Sequence, residues 1–244
     1  MLIALLCFCL LAAGGVAEQG AVKEMAKGTL GKAVEAAASP GTEQGQQIRE
    51  CSCQESKQCL QEMNDQAIAC FEGCFDKSSE VKSMTNQPAQ FKTCFKPGER
   101  VLAQFLGCLE EDPKTCIQDK NGPMIPRRDV HKVIEEAHKK LEQEIQTFEQ
   151  TLSKEGTELI KMGRSVGRCV KQCFFEKNQG GFCFDKIGCQ PKVEQQSVGS
   201  TVELCSSRID WGTQVRQVCD CSAQKGVEKV KPFCEAIKTL SGES

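Results

Sequence analysis

The residues of this chain with the greatest capacity for chemistry are its eighteen cysteines and two histidines. Cysteine thiolates bind metals, attack substrates or close into disulfides, and their spacing helps to distinguish these uses. Structural zinc sites favour Cys-x2-Cys knuckles. Apart from Cys7/Cys9 near the N-terminus, the sequence instead has two Cys-x-Cys pairs and two Cys-x3-Cys pairs, at Cys51/Cys53, Cys219/Cys221, Cys70/Cys74 and Cys169/Cys173. The spacing therefore favours disulfides over a zinc centre.

The two Cys-x3-Cys pairs lie in stretches with helical periodicity, which restricts how they can bond. Side chains at i and i+4 of a helix have Cβ atoms about 5 to 6 Å apart, whereas a disulfide needs about 3.5 to 4.5 Å. Neither pair is therefore expected to close on itself. Each member should bond a different segment, so that each helix is pinned to two neighbours.

The first seventeen residues are predicted to be a signal peptide. Residues 2–13 form an apolar run too short to span a bilayer, and Gly15-Val16-Ala17 offers a cleavage site of small residues. Cys7 and Cys9 would leave with this leader, so the remaining count is even, as a closed disulfide set requires. The sixteen predicted disulfide cysteines are Cys51, Cys53, Cys59, Cys70, Cys74, Cys94, Cys108, Cys116, Cys169, Cys173, Cys183, Cys189, Cys205, Cys219, Cys221 and Cys234.

Both histidines fall in one predicted helix. His131, Glu135 and His138 stand at i, i+4 and i+7, so they share a face and could hold a metal. We favour a different interpretation, in which His138 belongs to an apolar seam and His131 to a solvated helix start. Because the cysteines are assigned to crosslinks, few residues remain that could form a Ser–His or Cys–His catalytic site. We therefore predict a non-enzyme with no catalytic, metal-binding or cofactor-binding residue.

The cysteines are carried by segments that have helical periodicity. From Cys59 to Phe75 apolar residues recur at i, i+3, i+4 and i+7, and a second helix from Val101 to Leu109 is expected between Pro97-Gly98 and Pro113. A last helix is expected through Val227–Ile237. No stretch alternates with period two, so the predicted fold class is all-α.

The longest regular segment runs from about Arg128 to Phe175. Its apolar residues step alternately by 4 and 3 positions, a heptad seam of over five repeats. Asp129 is a candidate N-cap and Gly180-Gly181 a candidate stop. This pattern predicts one long helix that joins two cysteine modules, with its seam buried against other helices or a second copy of the chain.

A repeated tetrapeptide suggests that the two modules are duplicates. Cys74-Phe75-Asp76-Lys77 recurs as Cys183-Phe184-Asp185-Lys186, and the pairs Cys94/Cys108 and Cys205/Cys219 follow them with the same internal spacing. The predicted organisation is a signal peptide (1–17), a flexible low-complexity segment (18–49), a first module (50–122), a connecting helix (123–168), a second module (169–238) and a polar tail (239–244).

Composition is consistent with a stapled protein that has a modest core. Hydrophobic residues make up 39% and aromatic residues 5%, so crosslinks would supply stability that packing does not. A net charge of −2 and a pI near 5.9 give no reason to expect nucleic acid. No further apolar run has the length of a membrane span, so no span is expected.

The cysteine pattern from Cys51 to Cys234, with Cys-x-Cys followed by helical Cys-x3-Cys in duplicate, resembles that of nematode chondroitin-proteoglycan-type cysteine-rich secreted proteins. The resemblance implies the core protein of an extracellular coat, with glycosaminoglycan on a Ser-Gly dipeptide. The single Ser-Gly of this chain is Ser241-Gly242, which makes Ser241 the implied attachment site.

A shorter run is similar to another family. Cys51-Ser52-Cys53-Gln54, with Cys59 and Cys70, looks like the helical cysteine-rich domains of the glial-cell-line-derived neurotrophic factor co-receptors. Those domains bind growth factors. The likeness covers about twenty residues and implies a protein-binding surface.

These features favour a secreted, disulfide-stapled structural or protein-binding module of an extracellular coat or matrix. Its partner would be an extracellular protein or matrix component, and the long helix also offers a surface for self-association. The alternative is an extracellular carrier that holds a lipid or other apolar ligand between its helices.

Overall fold

The computed structural model describes residues 42–110, 116–149, 154–192, 200–201, 204–231 and 234. It confirms a disulfide-rich, predominantly helical fold. The helices are α1 (Cys53–Lys77), α2 (Ser79–Met84), α3 (Pro88–Lys92), α4 (Lys96–Glu110), α5 (Val130–Glu149), α6 (Lys154–Lys177), α7 (Cys183–Ile187) and α8 (Trp211–Gln224). The strands are β1 (Thr42–Glu50), β2 (Met124–Arg128) and β3 (Cys189–Gln190), and 3₁₀ turns span Thr93–Phe95 and Glu228–Val230.

Helix α1 begins where its sequence supplies a complete capping box. The Ser52 hydroxyl accepts a hydrogen bond from the Glu55 amide, and the Glu55 carboxylate accepts one from the Ser52 amide. The periodic face of the helix then buries Cys70, Phe71 and Phe75. Helix α1 ends at Lys77 because the chain turns at Ser78, whose hydroxyl caps α2.

A small sheet was not predicted from the sequence. Its order is β2-β1-β3, with β1 antiparallel to β2 and parallel to β3. Pro126 lies in the outer strand β2, opposite Gln47. An outer strand tolerates proline because its free edge needs no amide donor. Residues 42–49, which were predicted to belong to a flexible segment, form most of strand β1. Residues 124–128, which were predicted to belong to the connecting helix, form strand β2.

The predicted long helix is wrong, because its two halves fold back against each other. Helices α5 and α6 are separate and antiparallel. The Lys171 ammonium lies 3.0 Å from the Glu135 carboxylate, and the rings of His131 and Phe175 stack with centroids 3.9 Å apart. In one straight helix Glu135 and Lys171 would be about 54 Å apart. Apolar residues of the heptad seam are buried in both helices: Leu141 of α5 is 3% exposed, and Leu159 of α6 is 0% exposed and belongs to the main core.

The main core lies between α1 and the segments around it. Phe71, Phe75, Phe91 and Phe95 form a cluster with ring centroids 5.2 to 5.8 Å apart, in tilted or edge-on arrangements. A second, smaller core gathers buried cysteines around Phe184 beside the sheet. Pro97-Gly98 was predicted to precede helix α4. The helix begins at Lys96, so these two residues lie in its first turn.

All sixteen cysteines after residue 17 are paired. The bonds are Cys51–Cys189, Cys53–Cys116, Cys59–Cys183, Cys70–Cys173, Cys74–Cys169, Cys94–Cys221, Cys108–Cys205 and Cys219–Cys234. Six of the eight join residues 50–122 to residues 169–238. The two predicted modules are therefore interlocked and share one disulfide framework.

Several predictions lie outside the described residues. They are the signal peptide, residues 18–41, the polar tail and the glycosaminoglycan site at Ser241. The predicted last helix, through Val227–Ile237, begins with a 3₁₀ turn over Glu228–Val230, and the described residues that follow it, Lys231 and Cys234, are helical. Residues beyond Cys234 are not part of the description.

The α5–α6 hairpin can be tested by charge reversal. Glu135→Lys and Lys171→Glu should each lower the free energy of unfolding by about 0.5 kcal/mol, because each places like charges together across the hairpin. The double variant should recover most of this loss, as measured by urea unfolding in a double-mutant cycle. The control combines Glu135→Lys with Lys161→Glu, an exposed α6 position, and its effects should add. Additive effects for the first pair would contradict the hairpin.

Burial of the seam predicts a severe effect of charge at Leu141. Leu141→Asp would leave an unpaired carboxylate between α5 and α6, so we expect a loss of about 4 kcal/mol of unfolding free energy, or failure of secretion. Gln146→Asp, at an exposed position on the same helix, is the matched control and should stay within about 0.5 kcal/mol of the wild type. Equal melting temperatures for the two variants would show that the seam is not buried.

Candidate functional site

The double disulfide between α1 and α6 is the most distinctive local arrangement in the molecule. A Cys-x3-Cys pair places two sulfurs on one helix face, one turn apart. Because α1 and α6 run antiparallel here, Cys70 bonds Cys173 and Cys74 bonds Cys169, with Cα–Cα distances of 5.7 and 5.8 Å. Both members of each pair thus join the same partner helix, which corrects the prediction that each helix would be pinned to two neighbours.

An open groove of about 290 Å³ lies over these two bonds. The four cysteines line it, together with Ala69, Gly73, Lys77, Gln172 and Glu176. The groove can form because α1 presents small side chains at two positions of its exposed face. The Gln172 amide donates a hydrogen bond to Glu176, 3.0 Å away, so the α6 wall is partly pre-ordered.

The chemistry of the groove is that of disulfide sulfur with one cation and one anion nearby. Lys77 and Glu176 are the ionisable side chains among its lining residues, and neither histidine is among them. An apolar floor with opposite charges at its walls suits contact with a short polar segment or a small molecule. The sequence predicts these cysteines as crosslinks, but the groove exists only because α1 and α6 lie side by side.

Two of the three residues considered as a metal site are engaged elsewhere. The His131 ring stacks on Phe175, and the Glu135 carboxylate pairs with Lys171. Across residues 42–110, 116–149, 154–192 and the shorter described stretches, no group of three or more His, Cys, Asp or Glu side chains could hold a metal ion. The prediction of a non-enzyme is not tested by this finding and stays a prediction.

His138 is the histidine whose surroundings alter its titration. It is 8% exposed in the hairpin, and its Nδ1 has no hydrogen-bond partner among the described residues. Burial lowers the pKa of His138. The nearby Lys171 and Arg168 lower it further, while Glu142 and Glu135 oppose the shift. The lowered pKa favours the neutral form of the imidazole.

A second charged cluster ties the sheet to the start of α1. The Arg49 guanidinium donates to both carboxylate oxygens of Glu55, at 2.8 and 3.0 Å, and to the Lys120 carbonyl at 2.6 Å. The Arg49 hydrogen bond lowers the pKa of Glu55 to about 2, and the Ser52 hydrogen bonds add to that effect against the cost of burial. Our sequence analysis missed this cluster, although Ser52-x-x-Glu55 is a capping-box signature.

One glycine allows the chain to close against this cluster. A Cβ on Gly122 would lie 2.3 Å from the Glu50 carbonyl oxygen and 2.8 Å from Ile117. The Glu50 amide donates to the Pro123 carbonyl at 2.8 Å, so the two segments cannot separate without losing that bond. Gly122 is thus required by close backbone approach.

No helix in the described part of the chain combines the length and the apolarity that crossing a membrane requires. The eight disulfides indicate folding in an oxidising compartment, because cytosolic thiols are kept reduced.

The neutral His138 predicts a specific loss of stability in weak acid. Because its folded-state pKa is below the unfolded value of about 6.5, the unfolded chain binds the proton first. Stability should therefore fall as pH decreases from about 6.5 towards the folded pKa, by at most about 1.4 kcal/mol per pH unit. His138→Phe should remove this dependence, whereas His131→Gln should retain it, as measured by urea unfolding between pH 7.5 and 5. An unchanged slope in His138→Phe would contradict this assignment. Protonation of Glu55 acts separately, between about pH 4.5 and 2.

Comparison with known proteins supplies no relative for this chain. No family model, no curated protein and no solved structure matches it.

Proposed function

We propose that the protein is a secreted structural or protein-binding module of an extracellular coat or matrix. The observation that carries the proposal is the disulfide framework, in which six bonds join the first cysteine region to the second. Each disulfide typically stabilises a fold by about 2 to 4 kcal/mol. Such a framework holds a surface in a fixed shape under extracellular conditions, and a binding surface needs no catalytic group.

The exposed face of α1 supports a polar contact surface. Apart from the small Ala69 and Gly73, its exposed residues are polar or charged, as at Gln54, Lys57, Gln61, Asp65 and Glu72. Among the described residues, the large hydrophobic side chains that are well exposed are Met124 and Leu204. A polar, rigid surface of this kind fits hydrated contacts with a matrix component better than an obligate apolar interface.

The carrier alternative requires open space between helices. Around α1 that space is filled by the four-phenylalanine cluster, in which Phe75 and Phe91 are 0% exposed. The groove over the α1–α6 disulfides is open and small for a lipid. These features favour the module over the carrier. Attachment of glycosaminoglycan at Ser241 is a finer part of the proposal and rests on the Ser-Gly dipeptide alone.

Native mass spectrometry can separate the module from the carrier. We expect the secreted protein to have the mass of its polypeptide with eight disulfides, plus any covalent glycan, and to be unchanged by extraction with organic solvent. Loss of about one apolar molecule per chain on extraction would favour the carrier.

The binding role itself can be tested by retention in matrix. Purified native protein, added to extracellular matrix from the secreting tissue, should bind saturably, and reduction with alkylation should abolish binding. His131→Ala combined with His138→Ala should keep binding within a few-fold of wild type, because neither histidine belongs to the proposed surface. Absence of saturable binding by the native protein would contradict the module.

A further inference from the structure

We propose that the Cys74–Cys169 disulfide is a site of thiol–disulfide exchange, at which a low-molecular-weight thiol becomes attached to Cys169. Among the sixteen bonded cysteines, only Cys169 is exposed. Three others are half-buried and twelve are buried. Exchange requires access to a sulfur, and of the eight bonds only Cys74–Cys169 includes an exposed cysteine.

The geometry of the bond sets the direction of attack. Exchange proceeds when a thiolate approaches one sulfur while the other sulfur leaves. Cys74 is 4% exposed, whereas Cys169 is exposed and lines the open groove. The incoming thiolate therefore forms its new bond with Cys169 Sγ, and the electron pair of the broken bond passes to Cys74 Sγ. The number of disulfides is unchanged, and the proton lost by the incoming thiol is taken up by Cys74 or by solvent.

Lys77 assists departure of the Cys74 thiolate. It follows Cys74 by three residues on α1, which places both on one helix face, and it lines the same groove. Cys74 lies in the last turn of α1, where the negative end of the helix dipole disfavours negative charge. A nearby ammonium offsets that effect and stabilises the thiolate. Lys77 is thus a positioning charge for the exchange.

Neighbouring bonds keep the product in place. The released Cys74 cannot readily close onto Cys70, because i, i+4 Cβ atoms are too far apart. Cys70–Cys173 continues to join α1 to α6. The product is therefore a folded protein with a mixed disulfide at Cys169 and a thiol at Cys74. The groove volume of about 290 Å³ is suited to a small thiol such as glutathione.

The test uses the native protein and reduced glutathione. After brief incubation with a few equivalents, acid quenching and alkylation with N-ethylmaleimide, peptide mapping should find glutathione on Cys169 and the alkyl group on Cys74. This adduct should form at least tenfold faster than an adduct at any other disulfide. A first adduct elsewhere, glutathione on Cys74, or opening of all eight bonds in one step would overturn the proposal.

Two lysine variants test the assisting charge. Lys77→Ala should slow the exchange about threefold or more, whereas Lys82→Ala, at an exposed position on α2, should leave its rate unchanged. Equal rates in the two variants would remove Lys77 from the mechanism. Because the assay contains no matrix, its failure would leave the proposed binding role standing, and failure of matrix binding would leave the exchange chemistry standing.

Discussion

The rest of the structure depends on the two disulfides that join α1 and α6 one helical turn apart. One bond is enough to keep the two helices joined, and the second, on the facing turn, also fixes their register and their relative rotation. With α6 fixed, α5 can fold back along it and bury the heptad seam. With α1 fixed, its adjoining face places Phe71 and Phe75 in the aromatic cluster.

The disulfides stabilise a fold whose apolar core is modest for its length. The six bonds that join the two cysteine regions span 95 to 138 residues, so each closes a long loop. Constraints of this kind act largely on the unfolded chain, and the predicted stabilisation grows slowly with loop length. Phenylalanine packing then determines how the helices contact locally, while the Arg49–Glu55 pair secures the junction between the sheet and α1.

The bonding pattern contains an approximate two-fold relation. Exchanging Cys70 with Cys169 and Cys74 with Cys173 converts each of their two disulfides into the other. The same relation interchanges Cys94–Cys221 with Cys108–Cys205 when Cys94 matches Cys205 and Cys108 matches Cys221. The repeated tetrapeptide had matched Cys74 with Cys183 instead. Duplication stays a prediction, but the connectivity supports a different alignment of the two halves.

The sequence by itself determined the helical class, the burial of the heptad seam and the exclusion of bonds within each Cys-x3-Cys pair. These follow from local spacing, because side-chain positions on a helix are fixed by its 3.6-residue period. Asp129 was likewise identified as a cap, and its carboxylate accepts a hydrogen bond from the Lys132 amide.

Only the tertiary structure decided the disulfide partners, the small sheet and the reversal between α5 and α6. A long helix and a hairpin need the same apolar stripe, so the heptad pattern could not separate them. Strands β2 and β3 are short, and the sequence of β1 does not alternate between apolar and polar residues. The sheet forms by pairing between segments that are distant in sequence, so the local pattern does not indicate it. The choice among cysteine partners likewise depends on which helices lie side by side, a property of packing that spacing along the chain does not encode.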